Sequence, residues 1–395
     1  MAIQAIELLD EADRKADAAV IADLALTASP HDARLHAYAG MLRLQLGEFD
    51  SAREHYLFVM ENSPQACEWN APYGLSSAQR YREADHPDFA RFQECLTRRD
   101  LSERARSVLL FALGKAYDDI GDYARASSYF RQANILARSL TQWSRHAWRR
   151  GVAARLATGL IEQRTAPFED LVPVFIVGMP RSGTTLLAEQ LARFPRVRNR
   201  GELPWLARVG KKIKSGGSVE DAAALYAAQI RQDDWGDAHW FVDKQPLNFR
   251  YLDIALAMFP NAKVIHCARN ARDTALSLWT QSFAEEIQGY AYDFNNIALV
   301  MHDCECLIAH WRALYADSIR RVCYEELVRS PKTVIVELLE WLGIKYREQL
   351  DEVRTSSINT ASVWQARQPI YSSSVGRWRN YIGHVPELAS FRAEE

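Results

Sequence analysis

Residues 174–187 carry the pattern that points most clearly to chemistry. A run of apolar residues leads into a loop that contains Gly178 and Gly183, and Thr184 and Thr185 open an expected helix. The backbone N–H groups of such a loop and of the first helical turn point outwards, and the helix dipole adds positive charge there. The segment therefore predicts a binding site for an anion such as a phosphate group.

This loop differs from the motif of proteins that bind nucleoside triphosphates. That motif reads GxxxxGK[ST], and its lysine reaches the terminal phosphates. The spacing from Gly178 to Gly183 is kept, but Thr184 stands at the position of the lysine. Arg181 supplies a cation from inside the loop, which suits a phosphate bearing a sulfuryl group and needs no Mg²⁺. Ordinary ATP chemistry is therefore not expected.

Residues 180–185, Pro-Arg-Ser-Gly-Thr-Thr, resemble the 5′-phosphosulfate loop of sulfotransferases that use 3′-phosphoadenosine 5′-phosphosulfate (PAPS). The chain is similar in particular to the protein-tyrosine sulfotransferase branch and to bacterial fusions of tetratricopeptide repeats with such a domain. The resemblance covers residues from about 172 to about 383. It implies PAPS as the donor and 3′-phosphoadenosine 5′-phosphate (PAP) as the product.

The resemblance also assigns residues to the 3′-phosphate of the donor. It implies that Arg269, at the end of a strand, and Ser277, on the next helix, hold this group, and both residue types suit phosphate oxygens. The tyrosine-sulfating enzymes carry another basic residue one turn later, where this chain has Gln281. Another group, such as Arg272, would have to compensate.

Two segments near the C-terminus complete the implied donor site. Tyr324, near a strand end, resembles the tyrosine at the adenine end of the donor, and core packing is the alternative interpretation. Residues 371–379 are similar to the loop that closes over the nucleotide. The predicted donor-binding residues are Pro180, Arg181, Ser182, Gly183, Thr184, Thr185, Arg269, Ser277, Tyr324, Ser374 and Arg377.

Sulfuryl transfer needs a base for the acceptor proton and positive charge at the leaving oxygen. The resemblance implies Glu202 as the base, against the alternative of a solvated surface glutamate. It implies Lys244, together with Arg181, as the cations at the leaving oxygen, with no metal ion. Small-molecule sulfotransferases use a histidine as base, but His266 lies within an expected strand, where a packed side chain is the better interpretation.

Short strands that alternate with helices must position these residues. Runs of β-branched and aromatic residues occur at 174–177, 240–242, 263–267 and 321–324, with longer helical stretches between them. Buried strands between helices indicate a parallel sheet. We therefore expect an α/β, P-loop-like domain of three layers over residues 170–395.

Residues 1–165 are instead rich in Ala, Leu and Arg at helical spacing, which predicts an all-α domain. Two segments share a glycine, a second glycine seven residues later, an alanine and then an aromatic residue. These residues are Gly40, Gly47, Ala52 and Tyr56 in one segment and Gly114, Gly121, Ala126 and Phe130 in the other. The pattern resembles tetratricopeptide repeats, although other helical bundles also place glycines this way. We expect three to four hairpins and a boundary within residues 162–170.

Composition limits the remaining interpretations. A formal net charge of -2 shows no basic excess, so a nucleic-acid partner is not expected. The N-terminus does not resemble an export signal and no apolar run is long enough to span a membrane, so we expect a cytoplasmic location. Six scattered cysteines indicate reduced thiols, and Cys304 and Cys306 are expected to pack rather than bind metal.

The sequence thus predicts a PAPS-dependent sulfotransferase that transfers a sulfuryl group in line to a hydroxyl or amine. The alternatives are a P-loop nucleotide kinase or NTPase, and a nucleotide-binding repeat scaffold without turnover. The acceptor stays open between a peptide tyrosine, a sugar and a small metabolite, because a fold does not determine its substrate. A concave repeat face would suit a peptide or protein acceptor.

Overall fold

The computed structural model describes residues 2–12, 14–159, 168, 170–232, 234, 236–283, 286–345 and 373–391. Within these ranges, nine helices precede the first strand. They are α1 Ala2–Glu11, α2 Lys15–Ala28, α3 Ala33–Leu46, α4 Phe49–Asn62, α5 Ala71–Ser77, α6 Pro87–Thr97, α7 Glu103–Asp119, α8 Tyr123–Leu140 and α9 Arg145–Leu156. We call α1–α8 the hairpin region.

Glycines allow the helices of each predicted hairpin to approach closely. A Cβ atom on Gly40 of α3 would lie 3.1 Å from the ring of Tyr56 on α4, and one on Gly114 of α7 would lie 2.6 Å from the ring of Phe130 on α8. Gly47 ends α3 with φ of 79°, a left-handed conformation that favours glycine. The two predicted helical hairpins are therefore present in the predicted register. Their assignment as tetratricopeptide repeats stays a prediction.

Three helix pairs of the described chain pack as hairpins, α1/α2, α3/α4 and α7/α8, which agrees with the expected three to four hairpins, whereas α5 packs on α4 and α7 and α6 packs on α7. Helix α9 packs instead on the part of the chain that follows it. Trp148 Nε1 donates to Asp303 Oδ2 at 3.0 Å, and Arg155 Nη1 donates to Asp253 Oδ2 at 2.7 Å. Residues 160–167 and 169 lie outside the described residues, so the division at 165/170 stays a prediction.

The rest of the described chain, residues 170–391, is called the sheet region. Its strands are β1 Val172–Gly178, β2 Val197–Asn199, β3 Trp240–Asp243, β4 Lys263–Ala268 and β5 Ile319–Cys323. Its helices are α10 Thr184–Leu191, α11 Trp205–Lys214, α12 Val219–Ile230, α13 Leu252–Met258, α14 Ala271–Trp279, α15 Phe294–Leu314, α16 Tyr324–Arg329 and α17 Pro331–Leu342. Short 3₁₀ segments are Pro246–Tyr251, Glu286–Tyr292, Ala316–Ser318, Arg377–Asn380 and Pro386–Ser390.

The five described strands form one parallel sheet in the order β2-β3-β1-β4-β5. Alternate residues of β1 belong to different apolar clusters. Val174 and Ile176 pack with α10 and α17, whereas Phe175 and Val177 pack with the helices of the other face. Because both faces are covered, the central strand β1 is apolar throughout, as is usual in parallel sheets. The predicted three-layer α/β fold is confirmed.

Helices in the described ranges do not combine the length and hydrophobicity that crossing a bilayer requires. None of the six cysteines, all of which lie within the described ranges, forms a disulfide bond. Cys304 is buried on α15, while the Sγ of Cys306 lies 3.5 Å from Nε2 of His302. Among the described residues, no three or more acidic, histidine or cysteine side chains are grouped so that they could hold a metal ion.

Candidate active site

The carboxyl ends of the central strands open into a cleft of about 1930 Å³, the central cleft. Strand β1 lies between β3 and β4: the chain continues from β1 to β2 and β3 on one side and then crosses to β4 and β5 on the other. Open α/β sheets bind ligands at the point where the strand order reverses in this way. Helices α3, α4, α5 and α7 form the opposite wall. The predicted site residues that line the cleft are Pro180, Arg181, Gly183, Thr184, Thr185, Glu202, Arg269, Ser277, Tyr324, Ser374 and Arg377.

Two glycines shape the loop between β1 and α10. Gly178 has φ of 144°, and a Cβ atom there would lie 2.3 Å from the carbonyl oxygen of Cys267 on the neighbouring strand. Gly183 has φ of 95° before the first residue of α10, and its Cβ atom would lie 2.4 Å from the ring of Tyr324. Arg181, between them, also has a positive φ, 72°, which is uncommon for a residue other than glycine. The loop conformation therefore depends on both glycines.

Two buried polar atoms of this site have no hydrogen-bond partner within the described part of the chain. They are Oγ of Ser182 and Nε of Arg269. Ser182 is 2% exposed, and Thr184 and Thr185 beside it are also buried. A buried donor without an acceptor costs about 1–3 kcal/mol, and phosphate oxygens are strong acceptors. These residues fit an anionic, phosphate-bearing ligand.

Arg269 connects several of the predicted donor-binding residues. Its Nη1 donates to the carbonyl oxygen of Arg181 at 2.9 Å, and its Nη2 donates to the carbonyl oxygen of Ser374 at 2.6 Å. Its guanidinium carbon lies 4.6 Å from the ring centroid of Tyr324. Arg181 in turn donates from Nε to Oγ of Ser277 at 3.0 Å. Residues far apart in the sequence are thus brought to one side of the central cleft.

Glu202 and Lys244 form an ion pair at the ends of β2 and β3. Backbone bonds beyond the strands bring them together: Arg200 N–H donates to the carbonyl oxygen of Val242, and Lys244 N–H donates to that of Gly201, both at 2.8 Å. The Lys244 side chain is 4% exposed and that of Glu202 is 18% exposed. Glu202 lines the central cleft, and Lys244 lies behind it. The predicted base and one predicted cation are therefore neighbours.

Asp243, next to Lys244, is fully buried at the end of β3. Its Oδ2 accepts from the hydroxyl of Tyr226 at 2.7 Å and from Nδ2 of Asn248 at 3.1 Å. Burial raises the pKa of this carboxyl to about 7, although the hydrogen bond from Tyr226, backbone hydrogen bonds from Leu203 and Gln245 and the charge of Lys244 act in the opposite direction. The strand end that positions Lys244 thus holds a carboxyl group that titrates near neutral pH.

Residues 173–348 match the model of the sulfotransferase family. This domain belongs to the sulfotransferase family. An uncharacterized protein of Aquifex aeolicus is 28% identical, over 91% of this chain and 51% of that protein. A protein-tyrosine sulfotransferase of Drosophila melanogaster is 23% identical, over 57% of this chain and 50% of that protein. The chain thus spans about half the length of these two curated relatives.

Among solved structures, the sulfotransferase domain of the Synechococcus PCC 7002 olefin synthase covers 55% of this chain and 91% of its own length. It is 22% identical to this chain, with a TM-score of 0.40. The sulfotransferase domain of the curacin biosynthetic pathway covers 55% of this chain and 98% of its own length, at 18% identity and a TM-score of 0.36.

The C-terminal segment, residues 373–391, reaches the sulfotransferase domain through an aspartate that sequence reasoning missed. Asp273 on α14 accepts from the backbone N–H groups of Gly376 at 2.6 Å and Trp378 at 2.9 Å. Arg377, between these two, donates from Nη2 to Asp118 of α7 at 2.5 Å. No sequence signal marks these aspartates, because the patterns on α7 and α14 include Gly114 and Ser277 but neither Asp118 nor Asp273. Tyr371 and Ser372 of the predicted loop lie outside the described residues.

Three other residues considered from the sequence have defined environments in the sulfotransferase domain. His266 is buried in β4, where desolvation lowers its pKa to about 4, and it is absent from the cleft lining. Gln281 lines the cleft and donates from Nε2 to the hydroxyl of Tyr73 on α5. Arg272 donates to the carbonyl oxygen of Phe391 at 3.0 Å and lies over the ring of Trp378, so a role for it in phosphate binding stays a prediction.

Proposed function

We propose that this chain transfers a sulfuryl group from PAPS to a hydroxyl or amine acceptor in the central cleft. One observation supports this proposal above all. A loop of the phosphate-binding type, without the lysine of nucleoside-triphosphate sites, lines the same cleft as Glu202, which pairs with Lys244. Arg269 and Ser277 are the proposed ligands of the 3′-phosphate. Tyr324, Ser374 and Arg377 are the proposed contacts to the rest of the nucleotide.

The proposed reaction is an in-line displacement at sulfur. The acceptor oxygen or nitrogen forms a bond to sulfur while the bond between sulfur and the bridging phosphate oxygen breaks, and PAP leaves. Glu202 takes the acceptor proton as general base. Lys244 and Arg181 stabilise the negative charge that develops on the leaving oxygen. Because Glu202 and Lys244 contact each other in the structure, this ion pair has to open for the two groups to act on opposite sides of the sulfuryl group.

The size and walls of the central cleft support a large acceptor. At about 1930 Å³ the cleft exceeds the usual 300–1,000 Å³ of a small-molecule site, so space remains beyond one nucleotide. Tyr38, Trp69 and Tyr73 of the hairpin region line this wall. We propose that a peptide or protein acceptor contacts these helices. The similarity to a protein-tyrosine sulfotransferase supports this class, and cysteines that form no disulfide bonds support a reducing, cytoplasmic location.

The identity of the donor can be tested by comparing the binding of PAP with that of other adenine nucleotides. PAP is expected to raise the melting temperature, because a ligand at 100 times its Kd adds about 2.7 kcal/mol of stability. ATP with Mg²⁺ and adenosine 5′-phosphate are expected to raise it much less. R269A should remove the preference for PAP, whereas R320A, at an arginine that pairs with Glu337 outside the cleft lining, should keep it.

The alternative functions predict different results. A nucleotide kinase or NTPase would be stabilised most by ATP with Mg²⁺, and the absence of the loop lysine argues against it. A repeat scaffold would bind PAP but transfer nothing. Incubation with ³⁵S-labelled PAPS and a peptide and metabolite library, followed by mass spectrometry of labelled products, separates a scaffold from an enzyme. Preferential stabilisation by ATP would overturn the proposed donor.

A further inference from the structure

The C-terminal segment is fixed to the rest of the molecule at several points around the central cleft. Within the sheet region, Arg269 Nη2 donates to the carbonyl oxygen of Ser374, and Asp273 accepts from the backbone around Arg377. A further attachment comes from the hairpin region. There Asp118, on the last turn of α7, contacts the segment with both of its carboxylate oxygens.

Asp118 makes two short hydrogen bonds to this segment. Its Oδ2 accepts from Arg377 Nη2, and its Oδ1 accepts from the hydroxyl of Tyr381, each at 2.5 Å. The Arg377 guanidinium also lies 5.5 Å from the ring centroid of Tyr381. Asp118 and Arg377 both line the central cleft. The carboxylate therefore fixes the position of a cation in the cleft wall.

Helix α7 itself does not benefit from a carboxylate at this position. Asp118 lies in its last turn, where the helix dipole is negative and no basic side chain offsets it. The favourable partners of Asp118 are instead on the C-terminal segment, 259 residues away in sequence for Arg377. A guanidinium has five N–H donors, and the bond to Asp118 uses one of them. The arrangement thus orients Arg377 and leaves it able to bind an anion.

We propose that Asp118 is a positioning residue for the donor: it holds Arg377 towards the nucleotide, so the hairpin region completes the donor site. This inference rests on the proposed function. It differs from a role of the hairpins in acceptor binding alone. Loss of Asp118 is expected to weaken donor binding while the transfer step, once the donor is bound, proceeds at its normal rate.

A double-mutant cycle tests the coupling. D118N is nearly isosteric and removes the charge, and R377A removes its partner. D118N is expected to raise the Kd of PAP and the KM of PAPS about tenfold, with kcat unchanged within about twofold. In the R377A background, D118N should have little further effect, because the two residues act as one unit. D118E should restore part of the affinity.

Glu387 provides a matched control across the same interface. It pairs with Arg131 of α8, again between the C-terminal segment and the hairpin region, but neither residue lines the central cleft. E387Q is the same carboxylate-to-amide change and should leave the Kd of PAP unchanged. If D118N does not fold, R377K is measured instead. Lysine keeps the positive charge but lacks the planar set of N–H donors of arginine, so R377K should also raise the Kd of PAP.

The outcomes separate this inference from the proposed function. Wild-type affinity in D118N, or an equal loss in E387Q, would show that the contact is only structural and would overturn the inference. A full effect of D118N in the R377A background would overturn it as well. Failure of the wild-type chain to bind PAP in the same calorimetric titration would overturn the proposed function and this inference together.

Discussion

A glycine lies against an aromatic ring both in the hairpin region, at Gly114 beside Phe130, and in the donor loop, at Gly183 beside Tyr324. The available space is similar, since an added Cβ atom would lie 2.6 Å and 2.4 Å from the respective rings. The backbones differ: Gly114 is within a helix, whereas Gly183 has φ of 95°. In the hairpin, glycine only allows close packing, while in the loop it also permits a conformation that presents N–H groups to a ligand.

The two regions also use their charged groups differently. The sheet region places its charges at strand ends, where Glu202 in the cleft wall meets the buried Lys244 behind it. The hairpin region presents Asp118 across the cleft to another part of the chain. We therefore expect substitutions at strand ends to change turnover and those between the hairpin helices to change stability. The following predictions test this division.

The largest effect is expected for Glu202→Gln. The amide cannot take the acceptor proton, so kcat should fall by about 10²- to 10⁴-fold, the usual contribution of a general base. The amide oxygen can still accept from Lys244, so the Kd of PAP and the melting temperature should change little. E337Q, at an exposed carboxylate on α17, is the control. Single-turnover sulfate transfer measures the effect, and an unchanged rate would reject Glu202 as the base.

Because of Asp243, the free energy of unfolding should depend on pH. Its pKa is raised to about 7 in the folded state, so the native protein binds a proton that the unfolded chain has lost above about pH 4. The free energy of unfolding should therefore fall as the pH rises from about 4 to about 7, by an amount on the order of 3 kcal/mol, and then level off.

Comparison with D243N isolates this contribution. The amide is neutral throughout, and its oxygen can accept from Tyr226 and Asn248 as the carboxyl does. Urea unfolding at pH 4.5 and 7.5 should show D243N gaining stability relative to the wild type as the pH rises. Parallel pH dependence in the two proteins would show that Asp243 does not titrate in this range.

The loop and the strands could be predicted because their signals are local. Gly178, Gly183 and the apolar run of β1 specify the strand, turn and helix within fourteen residues. The edge strand β2 was not predicted, because Val197–Asn199 is too short to give a pattern. The contacts of Asp118 and Asp273 with the C-terminal segment were also missed, since they depend on how distant elements dock. A local motif contains no information about that docking.

Gly183→Ala should have the next largest effect, on donor affinity. Alanine at φ of 95° is strained by about 1–2 kcal/mol, and its Cβ atom would also meet the ring of Tyr324. We expect the Kd of PAP to rise at least about tenfold. Gly216 has the same φ with nothing within 4 Å of an added Cβ and lies outside the cleft lining, so the loss of folding stability in G216A measures the backbone strain alone. Calorimetric titration with PAP tests the prediction: G216A should keep the wild-type Kd, and a wild-type Kd in G183A would show that donor binding does not need this glycine.

The smallest effects are expected for alanine substitutions at three helical glycines. An added Cβ atom would lie 3.8 Å from its nearest neighbour at Gly151 of α9, 3.1 Å at Gly40 and 2.6 Å at Gly114. Alanine gains about 1 kcal/mol in helix propensity at each position, whereas overpacking costs about 1–3 kcal/mol where the space is absent. G151A should therefore stabilise the protein, G40A should be nearly neutral, and G114A should destabilise it by about 1 kcal/mol. Urea unfolding measures the series. In the F130L background G114A should stabilise the protein instead, because the smaller leucine side chain leaves space for the added methyl group. If all three variants shift stability equally, the hairpin glycines do not act through the aromatic rings, and the glycine–ring contact that the two regions share has no effect on stability in the hairpins.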